Sequence, residues 1–211
     1  MTSAQLSSSN SYSDQLAVMQ PGKTDVRISM NRNDSELWQA FTTGNERAFV
    51  LIYKKYVDVL YNYGKKYSSD SELIKDCIQD FFVYLREKRL NLGETTSIKF
   101  YLLRAFRRRL FLYIEKTNKQ RTTRMDFDLE IEDCSTQAYI NQDARKYKTK
   151  ILKNSLDQIK PREREAIYLY YFEELGYKEI AEIMQFTHIS SARRLIYTAL
   201  KDLRGVLSMS A

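Results

Sequence analysis

Two prolines and six glycines are all that punctuate these 211 residues, too little turn chemistry for a β-rich fold. Apolar side chains recur instead at three- and four-residue spacing along most of the chain, the signature of amphipathic helices. The expectation is an all-α protein made of two small helical domains joined by a flexible linker.

Residues 1–33 are rich in Ser, Asn and Gln without apolar periodicity, which predicts a disordered tail, either solvated or a docking segment. Residues 34–117 carry four helical patterns. The first holds Leu37, Trp38 and Phe41. The second follows Gly44-Asn45 with Phe49, Ile52, Tyr56, Leu60 and Tyr63. The third, capped by Asp70 or Ser71, runs to about Lys88 with Ile74, Cys77, Ile78, Phe81, Phe82 and Leu85. After the polar loop Arg89–Ser97 comes a fourth, and the four suffice for one bundle core. Residues 118–145 turn from basic to acidic with no sustained period. They read as a linker, either a solvated tether or an extended segment threading a basic channel of a partner. Residues 146–211 resume helical patterning, with Pro161 opening one helix, Gly176 another, and a break at Gln185-Phe186-Thr187 before the last. A short helix, a tight break and a basic helix is helix-turn-helix order.

Charge is concentrated in one place. Residues 99–124 hold nine basic side chains against one acid, Glu115, and so supply +8 to a chain whose formal charge is +7. Its apolar face is Leu102, Leu103, Phe106, Leu110, Tyr113 and Ile114. At about 100° per residue, Tyr101, Arg104, Arg108 and Phe111 fall opposite, with Phe100 and Arg107 on the flanks. Guanidinium groups beside exposed rings suit a polyanion with bases to stack on. No apolar run is long enough to span a bilayer, and residues 1–20 lack a secretory signal, so no membrane insertion is expected. Cys77 and Cys134 offer no disulfide framework, and the single His188 has no metal-ligating partner. A cytoplasmic protein without cofactor, metal or catalytic group is the simplest reading.

Four motifs, in order, resemble one family. Gly44-Asn45-Glu46-Arg47-Ala48-Phe49 with Ile52-Tyr53-Lys54-Lys55-Tyr56, then Asp76-Cys77-Ile78-Gln79-Asp80-Phe81-Phe82, then Tyr101-Leu102-Leu103-Arg104-Ala105-Phe106-Arg107 resemble domain 2 of bacterial sigma factors. Pro161-Arg162-Glu163-Arg164-Glu165-Ala166 with Glu179-Ile180-Ala181-Glu182-Ile183 resembles their domain 4. The likeness is to the sigma-70 superfamily, especially its extracytoplasmic-function (ECF) group.

The resemblance implies a transcription initiation factor that binds the RNA polymerase core through its beta-prime and beta subunits. It would direct the core to promoter DNA and be nucleoid-associated when bound. Glu72, Asp76 and Asp80, spaced i, i+4 and i+8 with Gln79 at the edge, form an acidic stripe suited to polymerase docking. Phe100, Tyr101, Arg104, Arg107 and Arg108 would hold the opened −10 element, Tyr101 standing where the family usually has Trp, and the loop Arg89–Ser97 would receive a flipped base. Ser190, Ser191, Arg193, Arg194 and Tyr197 would face the −35 element, with Ala192, Ile196, Ala199 and Leu203 in the core. From Ala181 to Ala199 the chain is one residue longer than the family norm, near His188, which rotates the recognition helix or delays its start. An anti-sigma factor or a recruiting protein is a further partner class. Two other readings share some of these features: a sigma-like adaptor led to DNA by another protein, and a stand-alone helix-turn-helix regulator.

Overall fold

The computed structural model describes residues 34–117, 127–129 and 152–209, and its regular elements there are all helices. The first unit comprises α1 (Asp34–Thr42), α2 (Glu46–Lys65), α3 (Ser71–Lys88), a 3-10 turn at Arg89–Asn91, and α4 (Ile98–Thr117). The second comprises α5 (152–158), α6 (Pro161–Tyr171), α7 (Tyr177–Ile183) and α8 (Ile189–Met209). The expected tail and most of the expected linker, Cys134, Arg121 and Arg124 included, lie outside the described residues.

Side chains set the helix starts. Asn45 accepts the Ala48 N–H at 3.1 Å to begin α2. Of the two caps that the sequence offers α3, Asp70 serves, accepting the N–H groups of Glu72 and Leu73 at 3.1 Å each. Caps of this kind contribute about 1 kcal/mol apiece. The basic helix α4 borrows its cap from the first residue of α1, 64 positions earlier in the chain. Ile98 N–H donates to Asp34 Oδ2 at 2.9 Å, and the same carboxylate accepts from Lys55 Nζ at 3.1 Å and Tyr56 OH at 3.2 Å. Asp34 thereby fixes the start of α4 against α1 and α2.

In the second unit Pro161 occupies the first turn of α6, and Glu163 Oε2 accepts the Lys160 N–H at 3.1 Å. Glu179 Oε2 accepts the Gly176 N–H at 2.8 Å at the start of α7. That helix closes with crossed bonds, Phe186 N–H to Ala181 O at 2.8 Å and Gln185 N–H to Glu182 O at 3.3 Å, which require the left-handed φ of 58° at Gln185. The break thus falls where the sequence places it.

The bundle core holds Trp38, Phe41, Ile52, Leu60, Tyr63, Ile74, Phe81, Leu102, Leu103 and Phe106, and the buried residues of both units form one continuous cluster. Cys77 lies inside it, and burial pushes its thiol up to about 12, so it packs as a neutral group. At Gly64 α2 runs tight against α3, and a Cβ there would stand 2.7 Å from Ile74 Cγ2. The branched Ile74 side chain has little rotamer freedom in a helix to give way. Gly64→Ala should therefore destabilise the protein by about 1–3 kcal/mol, although alanine is the better helix former. A lowered urea midpoint at unchanged slope is the expected readout, and an unchanged midpoint would mean that the two helices can part at no cost.

Candidate nucleic-acid interface

The basic helix does not present its whole charged arc to solvent. Arg104 and Arg108 are exposed. Tyr101 is half-buried, its ring 4.6 Å from that of Trp38, centroid to centroid, and Phe100 is half-buried as well. Phe111, expected on the outer face, packs edge-on against Tyr67 at 5.0 Å. Arg109 leans on α3, its guanidinium 5.1 Å from the Tyr84 ring.

Arg107 departs furthest from the expectation of a solvent-facing flank. It is 8% exposed, because the second unit covers it. Its Nε donates to Glu165 Oε1 at 2.6 Å and its terminal nitrogen to Oε2 at 3.1 Å, a bidentate bond. Tyr63 OH donates to the same Oε1 at 2.8 Å, and the Arg107 guanidinium lies 4.3 Å from the Phe111 ring. Glu165 is itself buried. Two charges removed from water cost several kcal/mol each unless their bonds are nearly complete, and here they are. Burial first, then the Glu165 charge, pushes the hydroxyls of Tyr63 and Tyr67 well above the ordinary tyrosine value. Both stay neutral hydrogen-bonding groups.

Two more pairs cross the same seam. Lys99 Nζ donates to the Glu173 carbonyl at 2.6 Å, with the Glu173 carboxylate 3.5 Å away. Arg104 lies 3.0 Å from Glu182 on α7, at the surface. Part of the expected linker lies in the seam rather than in solvent. Phe127 and Leu129 are buried, Phe127 against Tyr63, Tyr67 and Tyr168. Asp128 N–H donates to Lys66 O at 2.7 Å. Arg164 Nε donates to Phe127 O at 2.6 Å, and its terminal nitrogen to the carbonyls of Leu156, Asp157 and Ile159. One guanidinium thus closes the end of α5 and holds the strap.

Away from the seam, the loop Arg89–Ser97 borders a cavity of about 510 Å³, lined also by Trp38, Gln39 and Thr42. Trp38 Nε1 donates to Gly93 O at 2.8 Å, which pins the loop over it. On α3, Glu72, Asp76, Gln79 and Asp80 are all exposed. On α8, Ser190, Arg193 and Arg194 are exposed, Ser191 is half-buried, and Tyr197 stands 62% exposed. Ala192, Ile196 and Ala199 are buried as expected, while Leu203 is half-buried. α8 begins at Ile189, directly after the exposed His188. No group of three or more His, Cys, Asp or Glu that could hold a metal occurs among the described residues, and no helix among them is long and apolar enough to cross a membrane.

Sequence reasoning missed Glu165, Arg164, Tyr63 and Phe127 as seam residues. Glu163, Arg164 and Glu165 are consecutive charges near a helix start, a pattern that belongs to solvent, and nothing local shows that Glu165 meets an arginine 58 residues away.

A family model described as Sigma-70, region 4 matches residues 149–203. The ECF RNA polymerase sigma factor SigM of Bacillus subtilis (strain 168) is 24% identical over 157 residues, covering 74% of this chain and 92% of that protein. Among solved structures, CnrH in complex with the cytosolic domain of CnrY aligns with a TM-score of 0.58 at 16% identity, covering 85% of this chain and 100% of that one. The sigma factor RpoE in complex with the anti-sigma factor NepR, from Bartonella quintana, aligns with a TM-score of 0.54 at 17% identity, covering 79% and 98%. The all-helical two-domain fold is shared with these two solved structures.

The buried pair makes a measurable statement. Arg107→Met or Glu165→Met alone leaves an uncompensated buried charge and should cost about 3–5 kcal/mol. The double variant should cost far less than the sum. Additive costs in urea denaturation would mean that the two side chains do not depend on each other.

Proposed function

We propose that this chain, which matches sigma-70 region 4 over residues 149–203 and shares the fold of solved sigma factors, acts in transcription initiation with a division of labour along its length. The exposed acidic face of α3, with Glu72, Asp76, Gln79 and Asp80, docks on a basic surface of the RNA polymerase core. Tyr101, Phe100, Arg104 and Arg108 on α4 hold the opened −10 strand, rings against bases and guanidinium groups against phosphates. The cavity under Arg89–Ser97, with Trp38 in its wall, receives an unstacked base. Ser190, Ser191, Arg193, Arg194 and Tyr197 on α8 face the −35 element. The protein carries no reaction of its own; the polymerase supplies the chemistry.

The observation that carries this reading is a helix-turn-helix with an exposed Ser190–Tyr197 face, set in one chain with a bundle in which the loop leading into the basic helix walls a cavity. An inhibitory protein is a supported partner class as well, since the RpoE neighbour was solved with an anti-sigma factor.

Run-off transcription from linear promoter DNA by polymerase core plus this protein alone tests the whole. Full-length transcript is expected; its absence would favour an adaptor that another protein leads to DNA. Asp76→Arg with Asp80→Arg should abolish capture by the core, and undiminished capture would move the docking face elsewhere. Arg108→Ala should lower the salt slope of promoter binding by about 1, which an unaltered slope would contradict.

A further inference from the structure

Ala192, Ile196 and Ala199 bury one face of α8, which packs on α6 and α7. At about 100° per residue the opposite face centres on Ser190, Arg194, Tyr197 and Lys201, all exposed, and Arg193 falls about 90° to one side. A row of tyrosines borders that flank. The Arg193 guanidinium lies 5.2 Å from the centroid of the Tyr177 ring. Tyr177 stacks on Tyr170 at 5.3 Å with 19° between the rings, and the two share a side-chain hydrogen bond. Tyr170 in turn meets the exposed Tyr171 edge-on at 4.9 Å. The end of α6 and the first residue of α7 thus form an aromatic shelf under one arginine of the recognition helix.

We infer that Tyr177 is a positioning residue, which holds Arg193 to the phosphate backbone beside the groove and leaves Arg194 to read base edges. This rests on the reading of α8 as the −35 face. In a helix-turn-helix the second helix lies in the major groove while the first crosses the backbone. Tyr177 opens the first of these helices, so a guanidinium laid on its ring is aimed at the strand that α7 crosses. A ring attracts a cation without neutralising it, and Arg193 forms no salt bridge among the described residues. Its full charge therefore stays available to a phosphate oxygen. An arginine already resting on a ring also has less side-chain freedom to lose when DNA binds. No ring among the described residues lies against Arg194, which stands near the centre of the outward face.

The test separates affinity from sequence preference, because phosphate contacts position a protein and base contacts specify its site. Core polymerase with the full chain selects promoters from a pool of random linear duplexes, and binding to these and to their single-base variants is followed against salt. Arg193→Ala should weaken binding to all of them by a similar factor, about three- to tenfold, and lower the salt slope by about 1, with base preferences unchanged. Arg194→Ala should instead flatten the preference at a −35 position. Tyr177→Leu should reproduce part of the Arg193→Ala loss, about two- to fivefold, while Tyr177→Phe, which keeps the ring, should bind like the unaltered chain. In an Arg193→Ala background Tyr177→Leu should add nothing, whereas a general loss of structure would persist there. A base preference flattened by Arg193→Ala overturns the proposal. So does a Tyr177→Leu variant that binds normally, or one that loses as much without Arg193 as with it. Selected promoters with no −35 preference at all would end the reading of α8 as the −35 face, and the proposal with it.

Discussion

A carboxylate with no water around it must find its bonds in the protein, and Glu165 finds all of its partners on the first unit. The Arg107 fork and the Tyr63 hydroxyl converge on it. That requirement fixes the rest of the seam, because α6 can deliver Glu165 to Arg107 only by laying α7 along α4. Arg104 then comes into reach of Glu182, and a space remains between Tyr63 and Tyr168 that Phe127 fills. Two units that a reader of the sequence would separate share one core for this reason.

Much of the architecture is legible from residues. Asn45 and Asp70 announce α2 and α3, apolar periodicity draws the buried faces of α3 and α4, and Gln185-Phe186-Thr187 marks the break before α8. What resists reading is pairing at a distance. Arg107 carries the same sign as its neighbours Arg108 and Arg109, yet the three side chains go to a buried carboxylate, to solvent and to the Tyr84 ring. Local pattern cannot separate them, because each outcome is decided by a surface contributed from elsewhere. Phe127 and Leu129 pose the same difficulty, two apolar residues of a short run alternating with acids from Met125 to Glu132, whose significance lies in the slot they enter.

The surfaces left open differ in sign and position. The acidic face of α3 and the exposed face of α8 both lie outside the seam, whereas α4 is partly covered. A partner contacting α3 and α8 at once would meet only exposed local contacts there, Lys75 on Glu72 and the Tyr177 ring under Arg193. The basic helix has glutamates of the second unit against three of its cations.

The separations in sequence along the seam bear on how the molecule assembles. Tyr63 and Glu165 are 102 residues apart and Arg107 and Glu165 are 58 apart, while contacts within the first unit range from neighbouring helices to the 64 residues between Asp34 and Ile98. Loop-closure entropy favours the near contacts first. Pairings between neighbouring helices therefore form early, and Glu165 is a hydrated carboxylate until longer-range contacts bring it to Arg107.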